Sequence, residues 1–399
     1  MSAEQIAEAG FSGTSPPLAG EDSAAAARAF IPSLEGLRGI AALVVLIFHV
    51  VVIGNENFYK RTINELHSLN DVLLRLVFAV FNGHIAVSVF FVLSGFVLAL
   101  SLERDAQSGL AKSRKFAARR LLRIYPALVV NLLIIFASFR LMSTAGAPAL
   151  SPRDLGMNLL LLDFKVNGAT WTLLVEILAI PLLLLAYWTN RRFGLTGLIA
   201  ILGISVAGVI FPGKVYAMLP WRDFLALAPA MQFVLYFITQ YFLLFSLGIL
   251  IAELYRRGMI SISQRVANIT LGVSLAAMLG GWLVFGYESR TALLVGGFGC
   301  AGLVGILALE RPSGLRTFLD WGPVQFLGRI SYSFYLFHTL SVVTVFTASP
   351  LLLQPFGFAV RSIEGYLVLV IAATAMTIPM AWASYVLIER PAMRLGHRF

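Results

Sequence analysis

The sequence is short of two things that soluble proteins use freely, charge and cysteine. Asp, Glu, Lys and Arg make up only 13% of the 399 residues, whereas hydrophobic residues make up 59% and the mean hydropathy is +0.85. That balance excludes an ordinary soluble globular protein and indicates an integral membrane protein. The one cysteine, Cys300, lies in an apolar run. An intramolecular disulfide is therefore excluded, and a buried, inert thiol is expected. There is no Gly-rich phosphate loop after a strand, no G-x-S-x-G elbow and no HExxH pair, so the folds built on those motifs are set aside. Acidic residues are the scarcer sign, 20 against 30 basic, for a net charge of +10. In a membrane chain this excess first reports orientation, and nucleic acid is not expected as a partner.

What the sequence has in quantity is apolar runs about 20 residues long. They recur at 37–54, 84–101, 119–141, 170–189, 194–211, 231–253, 267–285, 291–309, 330–348 and 365–388, which predicts an all-α, polytopic membrane bundle of about ten transmembrane helices. Residues 72–83 form a shorter apolar approach with one Arg, expected to lie along the interface before the second span. Of the 30 Lys and Arg residues, 16 fall in the segments on one side of this alternation and 9 on the other. Both termini are accordingly expected to be cytoplasmic. Residues 1–30, rich in Ala, Ser, Gly and Pro, read as a disordered cytoplasmic tail rather than a signal peptide. Residues 31–393 form the membrane domain, 394–399 form a second cytoplasmic tail, and no second folded domain is expected.

Polar residues inside such spans are costly, at about 3 kcal/mol for an Arg placed centrally, and so mark candidate sites. Arg38 and His49 are 11 positions apart on the first span. A helix returns to within about 20° of the same face over that distance, with an axial separation of about 16 Å. A snorkelling anchor plus a core histidine is the structural alternative. "GHIAVSVFFVLSGF" carries His84, Ser88, Ser94 and Gly95, which helix packing alone would explain. Arg119, Arg120 and Arg123 form a cluster that suits either positive-inside anchoring or a phosphate held bidentately. Glu176, with Trp171 at the span entrance, needs a partner, and depth makes that partner His49. Tyr332, Tyr335 and His338 share a stripe that packing would explain but for the histidine. Glu389, Arg390 and Pro391 read as a helix stop with an interfacial ion pair.

A carboxylate beside an imidazole can deprotonate a hydroxyl. A phosphate-bearing donor on the arginines, with a pantetheine-like arm spanning the distance from Arg38 to His49, would bring a thioester to the histidine. Acyl transfer from coenzyme A follows as one reading. A metal site is not expected, because the three membrane histidines and Glu176 have no diagnostic spacing. A transporter, with Arg38 and Glu176 as counter-charges and His49 as proton relay, and a non-catalytic subunit of polysaccharide assembly are the competing readings. No matching halves of the kind transporters often show are present.

In order along the chain, "GLRGIAALVVLIFH", "GHIAVSVFFVLSGF", "RRLLRIYP", "TWTLLVE", "LGRISYSFYLFH" and "IERP" together resemble the acyltransferase 3 family of integral-membrane acyltransferases. The resemblance implies a ten-span bundle that moves acyl groups, commonly acetyl, from cytoplasmic acyl-CoA to hydroxyls of extracytoplasmic or lipid-linked carbohydrates. Acyl-CoA would be a co-substrate, with no bound cofactor. By position, His49 matches the catalytic base and Glu176 the acid that accompanies it. Arg38, Arg119, Arg120, Arg123, Ser94, Trp171, Tyr332 and His338 fall to substrate binding. Glu35 stands where Asp is frequent, and Ser88 where an acidic residue is frequent. No hydrolase-like domain that would take over the acyl group is expected after the bundle. The implied setting is a bacterial inner membrane, with membrane lipids and polysaccharide-assembly proteins as the expected partners.

Overall fold

The computed structural model describes residues 31–53, 55, 67–105, 108–142, 150–214, 234–286 and 289–396. The tail expected at 1–30 lies outside them, as do 397–399; residues 394–396 complete a helix. Among the described residues there are helices and no strands, and nine helical stretches are long and apolar enough to cross a membrane. The longest runs from Gly168 to Ile210 and is two helices in one. Gly194 breaks it with φ 62° and ψ −149°, a backbone that side-chain-bearing residues rarely adopt. Past the break, Gly197 lies close against Thr189, so the chain has turned back on itself. The two halves correspond to the fourth and fifth expected spans, which this one stretch joins.

In chain order the helices are α1 Pro32–Val52, α2 Leu69–Val80, α3 Gly83–Arg104, α4 Gly109–Met142, α5 Pro152–Leu159, α6 Trp171–Ile210, α7 Phe242–Arg256, α8 Gln264–Phe285, α9 Arg290–Ala308, α10 Gly314–Leu319, α11 Gly322–Thr347, α12 Ser349–Leu353, α13 Ile363–Ser384 and α14 Arg390–Gly396. One wide π turn, Phe237–Tyr241, leads directly into α7, and another, Tyr385–Glu389, joins α13 to α14. Helix α4 begins about ten residues before the apolar run that announces it. Lys and Arg are good helix formers, so the basic stretch 112–120 continues the helix beyond its apolar part. Helix α2 is separate from α3. Its start is fixed by a reciprocal capping box between Ser68 and Asp71, and it exposes Leu69, Leu73, Leu76 and Val80, the outward face expected of an interfacial segment.

Small residues set the contacts that matter for the site. A Cβ at Gly39 on α1 would collide with the backbone of Leu327 and Gly328 on α11, and one at Gly328 would collide with the carbonyl of Glu35. The two helices thus meet backbone to backbone, as small residues permit in membrane bundles. Gly95 on α3 makes the same kind of approach to Phe245 on α7. Helices α1, α3, α6, α7 and α9 contribute most of the main core, with Phe91, Phe96 and Phe245 fully buried in it.

Candidate active site

Arg38 and His49 lie on one unbroken helix, α1, as their spacing requires. The α1–α11 crossing then brings His49 against His338, with ring centroids 4.9 Å apart. The Nδ1 atom of His49 is 2.8 Å from the carbonyl oxygen of Val45, and that of His338 is 2.5 Å from the carbonyl of Tyr335. A carbonyl can only accept, so in both rings Nδ1 carries the proton and Nε2 presents a lone pair. Nε2 of His338 is buried without a hydrogen-bond partner. Phe48 packs edge-on against both His49 and His84, and His84 stacks on Trp282 at 5.6 Å.

A buried polar lattice holds the α11 segment in place. Asn167 Nδ2 donates to Asn131 Oδ1 at 2.8 Å and to the carbonyl of Leu336 at 3.0 Å, and Asn131 Nδ2 donates to that same carbonyl. Asn158 Oδ1 accepts from the backbone of Asn167, and Thr339 donates to Asn167 Oδ1. Tyr335 is fixed from the same side, accepting from Thr172 and donating to the carbonyl of Ala169.

Next to this aromatic and imidazole layer is a cavity of about 280 Å³ walled by α3, α4, α6 and α11. Tyr335 and Phe90, 6.0 Å apart, close its inner side, and Tyr335 in turn lies 5.4 Å from the ring of His338. Arg38, Arg120 and Arg123 line it, as do Ser94, Glu176, Ser331 and Tyr332. Two smaller chambers share its walls. One of about 170 Å³ holds Arg119 and shares Arg120 and Arg123. The other, of about 120 Å³, shares Arg38 and holds Glu35.

The carboxylate expected beside His49 is elsewhere. Glu176 forms an ion pair with Arg120 and accepts a 2.7 Å hydrogen bond from Ser94, and among the described residues nothing links it to His49. Matching depth on two helices does not fix their rotational phase, and α6 turns Glu176 toward the arginines of α4. Arg119 is drawn to Asp105 at 3.1 Å and to the carbonyl of Gly396, so it faces the side chamber rather than the main cavity. Arg123 reaches Glu389 at 3.8 Å and the sulfur of Met393 at 3.2 Å. Tyr332 lines the cavity and donates to the carbonyl of Ile124 at 2.7 Å. Trp171 packs on Tyr241 and Phe91 and is absent from the cavity wall.

Two residues at the site carried no function in the sequence. Glu389 is 2% exposed, close to Ser333 as well as Arg123, because the π turn Tyr385–Glu389 carries it inward. Its ion pair is with Arg123 and not at a bare helix stop; an acidic residue facing a basic run across the bundle was the available signal. Ser331, in "LGRISYS", is buried on the cavity wall with no partner for its hydroxyl, and Nε of Arg120 is likewise unpaired. The guanidinium of Arg38 has no hydrogen bond or ion pair among the described residues. Three donors are thus unspent around one space, and buried donors in that state call for a ligand that accepts.

Over 104 residues the chain is 40% identical to "Acyltransferase MdmB" of Streptomyces mycarofaciens, a match covering 26% of this chain and 23% of that protein. Over 107 residues it is 32% identical to "Putative O-acetyltransferase SACOL0978" of Staphylococcus aureus (strain COL), covering 27% of this chain and 14% of the other. The chain therefore spans under a quarter of the length of these curated relatives. No solved structure matches it. The model of the "Acyltransferase domain" family, Acyl_transf_3, matches residues 31–386, which takes in every helix that walls the cavity, and the chain belongs to that family.

Proposed function

We propose that this chain is a multi-pass membrane acyltransferase that moves an acyl group, acetyl first among the candidates, from acyl-CoA to a hydroxyl of a cell-envelope or lipid-linked carbohydrate. The observation that carries the reading is the set of unspent donors, Arg38, Nε of Arg120 and the hydroxyl of Ser331, around a cavity whose far wall, Tyr335, abuts His338 and through it His49. Guanidinium groups suit phosphate oxygens, and the length of α1 between Arg38 and His49 suits a pantetheine arm. On this reading the arginine end of the bundle faces the cytoplasm, both termini lie there, and the membrane is the bacterial inner membrane.

The chemistry proposed for His49 follows from its tautomer. With Nδ1–H committed to Val45, Nε2 accepts the proton of the acceptor hydroxyl as its oxygen attacks the thioester carbonyl. A C–O bond forms and the C–S bond breaks. The coenzyme A thiolate leaves and takes up the proton held on the imidazolium. His338, whose buried Nε2 has a free lone pair, is the adjacent ring that stabilises that cation. Glu176 is assigned to the donor side, where it orients Arg120, in place of a direct role beside His49.

The test uses purified protein in lipid, radiolabelled acetyl-CoA and a pool of soluble and lipid-linked glycans, with label transfer and coenzyme A release both followed. Transfer by the wild type that disappears in a folded His49→Ala variant supports the mechanism. Transfer undiminished by that change overturns it.

A further inference from the structure

The side chamber of about 170 Å³ has an unbalanced charge. Lys112, Arg119, Arg120 and Arg123 line it against a single carboxylate, Asp105. Each arginine has an acidic partner: Asp105 for Arg119, Glu176 for Arg120 and Glu389 for Arg123. Asp105 is also shared with Lys115, at 3.7 Å. Among the described residues Lys112 has no acidic partner. It is 3% exposed, and its ammonium donates to the hydroxyl of Tyr187 at 2.8 Å and sits 4.4 Å from the centre of that ring. A phenol and its π face are neutral and cannot balance a buried charge, so the described residues leave one cation here without a counter-ion.

The main cavity repeats the pattern with Arg38, which makes no ion pair with a carboxylate among the described residues. The two spaces are joined, since Leu98, Ser101, Arg120 and Arg123 belong to the walls of both. Two unmatched cations at separate points of one connected space fit a ligand with two separate anionic centres. Coenzyme A is such a ligand, with a diphosphate on the pantetheine side and a phosphomonoester on the ribose.

We infer that the side chamber is a second phosphate site, in which Lys112, clasped by Tyr187, receives the ribose phosphomonoester of the donor while the main cavity takes the diphosphate. This rests on the proposed acyl-CoA reading and adds a substrate rule to it. The protein selects a donor with both anionic centres over one that has the diphosphate alone. A charge-assisted contact to a buried ammonium makes that selection worth about tenfold or more in affinity.

The experiment measures binding of coenzyme A and of dephospho-coenzyme A, which lacks the phosphomonoester, to the full chain in lipid nanodiscs by calorimetry. Wild type is compared with Lys112→Met, which keeps most of the side-chain length without the charge, and the melting temperature is followed with and without ligand. The expected result is that wild type favours coenzyme A by about tenfold or more, and that the variant binds the two alike. The unliganded variant is expected to melt no lower than wild type, because an unmatched buried charge has been removed; a merely structural lysine would lower it. Equal binding of the two nucleotides by wild type overturns the inference, as does a variant that weakens both to the same extent. Equal binding of the two combined with stabilisation by inorganic phosphate alone identifies an adventitious anion site and also overturns it. Binding of neither nucleotide refutes the donor reading itself, and the second phosphate site with it.

Discussion

His49 and His338 stand 4.9 Å apart, centre to centre, on two helices that touch through Gly39 and Gly328. Each ring has its Nδ1 tied to a carbonyl of its own helix, so each is held in one tautomer and one orientation without help from an acid. The pair faces a cavity wall, Tyr335, which the asparagine lattice and Thr172 hold from behind. What the bundle builds is therefore two neighbouring bases on one side and a cationic cavity on the other, with an aromatic layer between them.

His49→Gln is expected to reduce acyl transfer by about 10²- to 10⁴-fold, the usual weight of a general base, while the elution profile and helical content stay as in wild type. Turnover of radiolabelled donor checks it. Loss of less than threefold would place the base elsewhere.

Glu176 and Arg120 are expected to act as a unit. Breaking a buried pair by removing one partner leaves the other charge uncompensated, at about 3–5 kcal/mol. Glu176→Gln and Arg120→Met should each lower the melting temperature in nanodiscs. The double variant should lose less than the sum of the two; strict additivity would mean that the pair is not coupled.

Gly328→Ala adds one methyl group where the carbonyl of Glu35 already lies. Overpacking of this kind costs about 1–3 kcal/mol and moves α1 away from α11. The expected outcome is a lower melting temperature together with a fall in turnover larger than the fall in donor affinity. A variant that kept wild-type turnover would show that the crossing does not set the histidine pair.

Asn167→Ala removes two donated bonds and two accepted ones at a buried position. Leaving Asn131 and Leu336 short of partners is expected to destabilise the protein by about 1–3 kcal/mol. Hydrogen exchange should quicken across 160–170 and around Leu336; unchanged protection in both would dismiss the lattice as a support for α11.

Asp154, outside the spans, is pushed down to about 2 from its ordinary 3.8, chiefly by the Ser151 hydroxyl bonded to it at 2.6 Å, then by the Ser151 backbone. A depressed carboxylate contributes stability that is complete above its unfolded value and lost as the pH falls through its folded one. Ser151→Ala should move the Asp154 titration back toward 3.8 in carbon-detected NMR of Asp-labelled protein and lower the melting temperature evenly between pH 5 and 8, where the lost contribution is complete, with the difference from wild type shrinking below about pH 4. A titration that stays near 2 would show that the hydroxyl is not the cause.

Hydropathy and charge made the bundle legible, because a span's length and its polar exceptions are properties of a continuous run. Arg38 and His49 could be placed on one face because they share one helix, whose geometry is fixed. The pairing of His49 with Glu176 could not be read that way. It needed the relative rotation of α1 and α6, which tertiary packing decides and no spacing within either segment records. Lys112 was hidden for a related reason. It opens a basic stretch that positive-inside anchoring explains, and the Tyr187 that marks it as buried lies 75 residues away in sequence. Glu389 was legible as an acid at a helix end, but the π turn that moves it inward was not.

The glycine contact between α1 and α11 also changes where this protein is vulnerable. The spacing of the two imidazoles depends on a seam where main chain meets main chain, and an added methyl group there finds the partner backbone already in its place. Inherited loss of activity should therefore collect at Gly39 and Gly328 as readily as at the histidines, in positions that carry no reactive group at all.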